Sequence, residues 1–93
     1  MARFTTRVEL HSAVSTDYDK LHDEMESEGF TRTWKADGGT VYQLPTAEYD
    51  YRGEKTRLQV LELAKKAAKR VKSSYEIFVT ESAGRSHYNL TEA

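Results

Sequence analysis

The stretch that decides the fold is TRLQVLELAKKAAKRVK, residues 56–72. Thr56 and Gln59 form a capping box of the kind that begins a helix. The apolar residues that follow recur at helical spacing on one face, and they are Val60, Leu61, Ala64, Ala67, Ala68 and Val71. This pattern predicts an amphipathic helix over about residues 57–72, ended by Ser73 and Ser74, that packs its apolar face on a core.

Alternating residues on both sides of this helix predict strands. Residues 3–11 place Phe4 and every second residue to Leu10 on one side, with mostly charged residues on the other. Residues 30–36 and 40–44 flank Asp37-Gly38-Gly39, which is typical of a hairpin turn. Residues 75–80 alternate again, with Tyr75, Ile77 and Val79 on one side and Glu76, Phe78 and Thr80 on the other.

Two segments complete the pattern. Residues 17–28 predict a first helix, with capping side chains at residues 15–17, and Gly29 suits a left-handed stop that folds Phe30 back against Met25. Pro45 ends strand pairing or confines it to an edge, so residues 47–53 are predicted to be a short edge extension or a loop.

The element order is strand, helix, strand, strand, helix, strand, which predicts an α+β fold of the ferredoxin-like β-α-β-β-α-β kind. Right-handed crossovers put both helices on one face of an antiparallel four-stranded sheet and leave the other face uncovered. The domain is predicted over residues 1–82. Residues 83–93 form a polar C-terminal tail in which Tyr88 and Leu90 can act as anchors.

Composition sets limits on function. A chain of 93 residues fits one domain, and a net charge of −1 means that nucleic-acid binding needs a local basic patch. The absence of cysteine excludes disulfides, thiolate metal sites and a cysteine nucleophile. Residues 1–4 lead into a strand without an apolar signal core, and no stretch has the length of a membrane span. We therefore expect a cytoplasmic protein with no membrane partner.

The second predicted helix carries a local basic patch. Its cations are Lys65, Lys66, Lys69, Arg70 and Lys72. Because Lys65, Lys69 and Lys72 are spaced at i, i+4 and i+7, they can meet successive phosphates of single-stranded RNA. The alternative is a solvated helix face in which Lys65 and Lys66 pair with Glu62.

The first strand carries the candidate catalytic residues Arg3, Arg7 and His11 on the side opposite the core, where Lys35 can join them. Metal-free cleavage of RNA needs a base that moves a proton and a cation that stabilises charge on phosphate. His11 is the candidate base, with Arg7 and Arg3 as the cations. The alternative is an exposed histidine at a strand end, with arginines that keep the sheet hydrated. His22 is interpreted as structural, and His87 belongs to the tail.

Other chemistries lack a motif. Carboxylates such as Asp17 and Asp19 have no ligand-spaced loop, so no metal site and no cofactor are predicted. The chain has no GxGxxG, P-loop, GxSxG or HExxH sequence. The stacking pattern of RNA-recognition sheets is also absent, although Phe4, Trp34, Tyr42 and Phe78 lie on predicted strands. These aromatic residues are interpreted as core or dimer contacts.

Five segments resemble a group of small bacterial proteins that are grouped with the GhoS-type, or type V, antitoxins. The segments are residues 2–11, 17–22, 29–33, 44–49 and 79–82. The resemblance implies a ferredoxin-like fold, similar to small CRISPR-associated nucleases, and an endoribonuclease that destroys the messenger of a membrane toxin. His11-Ser12 stand where those nucleases carry an aspartate at the end of the first strand, which does not favour metal-dependent cleavage.

Three hypotheses follow. The first is an RNA-binding, antitoxin-type endoribonuclease that cleaves a toxin mRNA. The second is a non-enzymatic, dimeric protein-interaction module, and the third is a small-ligand regulatory domain, for which no polar pocket motif is visible. A homodimer is expected because the sheet has an uncovered face, the two helices carry opposite charge, and the tail is long enough to join a neighbour's sheet edge.

Overall fold

The computed structural model describes all of residues 1–93. The elements in chain order are β1 (Ala2–Leu10), α1 (Ser15–Ser27), β2 (Thr33–Lys35), β3 (Val41–Gln43), β4 (Glu48–Gly53), α2 (Arg57–Lys69) and β5 (Tyr75–Glu81). The fold is α+β with two helices and antiparallel sheets, as predicted. Neither helix is long and apolar enough to cross a membrane.

The main sheet has three strands in the order β4-β1-β5, all antiparallel. In its register Phe4 lies opposite Tyr51 on one side and Glu81 on the other. The predicted alternation along β1 is confirmed, because Phe4, Thr6, Val8 and Leu10 are buried. The face opposite the helices therefore carries the alternate residues of β1, which include the candidate catalytic residues Arg3 and Arg7, and His11 directly follows the strand.

The pairing of the middle strands differs from the prediction. Residues 41–43 do not join the main sheet but pair with β2 in a separate two-stranded hairpin. The strand beside β1 is β4, in the segment predicted to be an edge extension or loop. The reason is packing: Tyr49 of β4 is fully buried against the edge of the Phe30 ring, whereas β2 and β3 are only three residues long.

Both helices cover one face of the sheet. Leu21 and Met25 of α1 meet Phe4, Val8 and Tyr49 in a single core. From α2 the buried residues are Val60, Ala64, Ala67 and Ala68. Because three of these four are alanines, α2 can lie close to the sheet. Four of the six residues of the predicted apolar face are thus buried, whereas Leu61 and Val71 are half-buried.

Local signals fix the start of α2 and the end of α1 where they were expected. The other two ends differ, because α1 begins at Ser15 with Val14 as its N-cap and α2 ends at Lys69. Gln59 donates its backbone N–H to Thr56 Oγ1 at 3.1 Å, and Thr56 donates its own to Gln59 Oε1 at 2.8 Å, which is the predicted capping box. At the end of α1, Gly29 has a φ of 96°, and Phe30 donates its N–H to the Met25 carbonyl at 3.0 Å. This is the predicted Schellman stop.

The face of the sheet opposite the helices is only partly open, in contrast to the prediction. The tail runs back along the hairpin, where Gln43 N–H donates to Thr91 O at 2.8 Å and Ala93 N–H donates to Val41 O at 2.9 Å. His87 lies on Tyr42, with ring centroids 4.1 Å apart, and Trp34 beside them is only 6% exposed. The hairpin and the tail thus form a second small apolar cluster.

Candidate nucleic-acid interface

A groove lined by lysines runs between α2 and the start of β5. Lys65, Lys66 and Lys69 line it together with Ser73 and Tyr75, and its volume is about 830 Å³. All three lysines are exposed. Lys65 makes an ion pair with Glu62 at 3.3 Å, but an exposed pair of this kind contributes little free energy and can yield to a phosphate. The groove therefore offers three cations to a polyanion.

The other two predicted RNA-binding cations face the first helix. Arg70 Nη2 lies 2.6 Å from Glu28 Oε2, and its Nε binds Glu24. These hydrogen bonds to Glu28 and Glu24 raise the pKa of Arg70. Lys72 Nζ lies 3.4 Å from Asp17 Oδ2. Both side chains hold the acidic helix against the basic one. Their charges are therefore already paired with carboxylates of the same chain.

His11 stands at the C-terminal end of β1 with both ring nitrogens engaged. Its Nδ1 is 2.8 Å from Ser74 Oγ, and its Nε2 is 3.0 Å from Glu76 Oε1. A carboxylate accepts hydrogen bonds only, so in the neutral ring Nε2 carries the proton and Nδ1 accepts from the serine hydroxyl. Glu76 thus fixes the ring orientation and leaves a basic nitrogen on the Ser74 side.

The two arginines lie at increasing distance from this histidine. At about 3.3 Å of rise per residue, Arg7 is about 13 Å and Arg3 about 26 Å from His11 along the strand. Arg7 lines a shallow cavity of about 240 Å³ with Glu76, the residue that holds His11. Arg3 instead pairs with Asp37 of the hairpin turn at 3.8 Å. The structure brings Arg7, but not Arg3, to the neighbourhood of His11.

Residues 73–76 connect the lysine groove to His11 along the chain. Ser73 lines the groove, and the next residue, Ser74, contacts both the His11 ring and the His11 backbone N–H, the latter at 3.1 Å. Tyr75 also lines the groove, and Glu76, the next residue of the strand, lies on the opposite face of the sheet. Four consecutive residues therefore join a cationic surface to a histidine held by a carboxylate.

A buried cluster of charged residues was not predicted from the sequence. Asp50, 5% exposed, accepts from Arg85 Nη1 at 2.6 Å and from Arg52 Nε at 3.2 Å. Ser82 Oγ accepts from Arg85 Nε at 3.1 Å, while Arg85 Nη2 is buried without a partner. The cluster fixes the tail to β4. The only indication of this cluster in the sequence is Asp50, a charged residue between two tyrosines of a strand. Nothing in the sequence identifies Arg85 as the partner of Asp50.

The contacts of His22 agree with the structural role that was interpreted from the sequence. Its Nδ1 lies 2.7 Å from the hydroxyl of the buried Tyr49. Burial, reinforced by the charge of Arg32, lowers the pKa of His22. Burial also raises the pKa of Tyr49, so the phenol stays protonated and donates to a neutral imidazole. This pair links α1 to β4 within the core.

No group of three or more histidine and carboxylate side chains is placed to hold a metal ion. Compared with known proteins, the chain matches no protein-family model and no curated protein.

Proposed function

We propose that this protein binds single-stranded RNA in the lysine groove and cleaves it at His11, as a cytoplasmic antitoxin-type endoribonuclease acting on a toxin mRNA. The observation that carries the proposal is the continuity of residues 73–76, which connect the groove to the His11 site. The toxin messenger as substrate follows from the resemblance to GhoS-type antitoxins.

Binding is the electrostatic part of this function. Phosphates that meet Lys65, Lys66 and Lys69 release condensed counterions, which supplies affinity without reading the base sequence. Tyr75 lines the same groove, and an aromatic side chain at such a site can stack on an unpaired base. Single strands fit this surface better than duplexes because their bases can turn toward the protein.

Cleavage follows from the tautomer that Glu76 favours. When the ribose 2′-hydroxyl replaces the Ser74 hydroxyl at His11 Nδ1, it can transfer its proton to that nitrogen. The 2′-oxygen then forms a bond to phosphorus while the bond from phosphorus to the 5′-oxygen breaks, and water returns a proton to the 5′-oxygen. Arg7, which lines a cavity with Glu76, is the cation assigned to the charge that develops on phosphate. The products are a 2′,3′-cyclic phosphate and a 5′-hydroxyl.

We also infer a ferredoxin-like topology. Thr31 and Asp50 exchange backbone hydrogen bonds of 2.9 and 2.8 Å on the free side of β4. This bridge supports a short fourth strand at Thr31, next to β4. With it, the order of the strands in the sheet is that of a split βαβ sandwich. In this view the β2–β3 hairpin is an excursion between the second and third strands of the sandwich.

A gel-shift and cleavage assay tests the proposed function. Wild-type protein should shift a single-stranded RNA at low salt and generate new ends with EDTA present. Replacement of Lys65, Lys66 and Lys69 by glutamate should abolish the shift. A wild-type protein that neither shifts nor cuts RNA at low salt would remove the nuclease function.

A second candidate function is the non-enzymatic interaction module. It is favoured by two large apolar side chains at the surface, Leu58 at 66% and Phe78 at 72% exposure. Both line a cavity beside β5, at the edge of the main sheet. The RNA assay separates the two functions, because the module predicts no RNA binding.

A further inference from the structure

Strand β5 has a free edge. It is the last strand of the main sheet and pairs only with β1. Ser82 donates its N–H to Arg3 O at 2.8 Å, and His11 donates its N–H to Ser74 O at 3.1 Å, so the even-numbered residues of this strand bond to β1. In an antiparallel ladder the alternate residues face the other way. The outward backbone groups are therefore those of Tyr75, Ile77, Val79 and Glu81.

An apolar surface borders this edge. Leu58 and Leu61 of α2 line a cavity of about 460 Å³ with Ile77, Phe78 and Val79 of β5. Exposed, unpaired edges next to apolar side chains are the sites at which a further strand adds to a sheet. No charged residue interrupts β5 between Glu76 and Glu81.

We propose that β5 of a second copy of this chain pairs antiparallel with this edge, with Phe78 of each copy on the two-fold axis. This register places Ile77 opposite Val79 of the partner subunit and uses every outward backbone group in about eight hydrogen bonds. Phe78 faces Phe78 of the partner subunit as a non-hydrogen-bonded pair, in which side chains come closest. The two three-stranded sheets become one continuous sheet.

The charges along the edge agree with this register. Glu76 lies opposite Thr80 of the partner subunit, so the like charges of the two Glu76 residues stay apart. Tyr75 lies opposite Glu81 of the partner subunit, on the face of the sheet that carries α2. Because Tyr75 borders the lysine groove, that carboxylate lies beside the groove in the proposed dimer. The edge is thus complementary to itself in both backbone hydrogen bonding and charge.

The other surfaces expected to hold two chains together are already occupied within one chain. The acidic and basic helices pair with each other through Arg70 and Lys72. The tail pairs with β3, where Glu92 lies opposite Tyr42. The free edge of β5 is the surface that these contacts leave for a second copy.

Disulfide trapping tests the register directly, because the chain contains no cysteine. In a non-hydrogen-bonded pair the two Cα atoms are about 4.5 Å apart, within the range of a disulfide. Phe78→Cys should therefore form a covalent dimer on mild oxidation. Glu76→Cys and Thr80→Cys should not, since each residue is about 13 Å along the strand from its copy. Crosslinking at position 76 or 80 but not at 78 would overturn the register.

Charge swapping tests the dimer without oxidation. Phe78→Lys and Phe78→Glu should each sediment as monomers with an unchanged circular dichroism spectrum, and an equimolar mixture should recover the dimer. Thr80→Lys is the matched control, because it faces Glu76 of the partner subunit and should keep the dimer. A wild-type chain that is monomeric at high micromolar concentration, or a Phe78→Lys variant that stays dimeric, would refute the proposal. These measurements contain no RNA, so they are independent of the proposed nuclease function.

Discussion

Replacing Lys65, Lys66 and Lys69 by glutamine should change the salt dependence of RNA binding by a predictable amount. Each phosphate neutralised on a single strand contributes about 0.7 to the slope of log affinity against log salt. The groove presents three such lysines, so the variant should lose about 2.1 from the slope. For these lysines alone, a rise from 50 to 200 mM salt lowers affinity about twentyfold.

The size of this slope shows whether RNA contacts only the three lysines of the groove or all five cations of the basic helix. If Arg70 and Lys72 also met phosphates, five contacts would give a slope of about 3.5 and a loss of about a hundredfold over the same salt range. Because both are bound to the first helix, Arg70→Gln with Lys72→Gln should leave the slope unchanged while lowering the midpoint of urea unfolding.

Fluorescence anisotropy of a labelled single strand at several salt concentrations measures this slope. The matched control replaces Lys20, Arg32 and Lys55 by glutamine, which changes the net charge equally at exposed sites outside the groove. The control should keep the wild-type slope. Equal slopes for the groove variant and the wild type would refute RNA binding by the groove lysines. An equal loss of slope in the control variant would refute it as well.

Three further predictions concern stability and the dimer, and each is read from unfolding or binding curves. Because the folded-state pKa of His22 is lowered, the unfolded chain binds more protons, so the His22 contribution to the free energy of unfolding should be lost as pH falls below about 6.5. Asp50→Ala should lower that free energy by about 3 kcal/mol, because it leaves the largely buried Arg85 guanidinium unpaired. Glu81→Gln should strengthen RNA binding, since Glu81 of the partner subunit competes with phosphate for the lysine groove.

Each has a control. His22→Gln keeps an acceptor for the Tyr49 hydroxyl but does not titrate, and an unchanged pH dependence in this variant would contradict the assignment. Arg52→Gln removes the exposed partner of Asp50 and should cost less than about 1 kcal/mol. In the monomeric Phe78→Lys background Glu81→Gln should have no effect on RNA binding, because within one chain Glu81 lies about 20 Å along β5 from Tyr75.

The parts of the fold that depend on near neighbours could be predicted from the sequence. Thr56 with Gln59 and Gly29 with Phe30 act over a few residues, and the structure has both motifs where they were expected. The position of β4 could not be predicted in this way. Pro45 indicated that strand pairing ends there. The strand forms nevertheless, because Tyr49 packs into a core that is built from distant segments.

The same division applies to the candidate site. The sequence shows which residues lie on one face of β1 or α2, and it therefore indicates His11 and the lysines. It does not show that Arg70 and Lys72 are bound by α1, or that Glu76 holds His11, because these pairs join residues more than forty positions apart. Long-range ion pairs leave no periodic signal.

Mapping of RNA ends after incubation with wild-type protein and with His11→Ala tests the central claim most directly. With EDTA present, wild-type protein should produce fragments with 2′,3′-cyclic phosphate and 5′-hydroxyl ends. His11→Ala should produce none while its affinity in the anisotropy assay stays within about twofold, because the imidazole acts on a proton in the transition state and adds little to ground-state binding. Equal cleavage by His11→Ala, or no cleavage by a wild-type protein that binds the RNA, would contradict it.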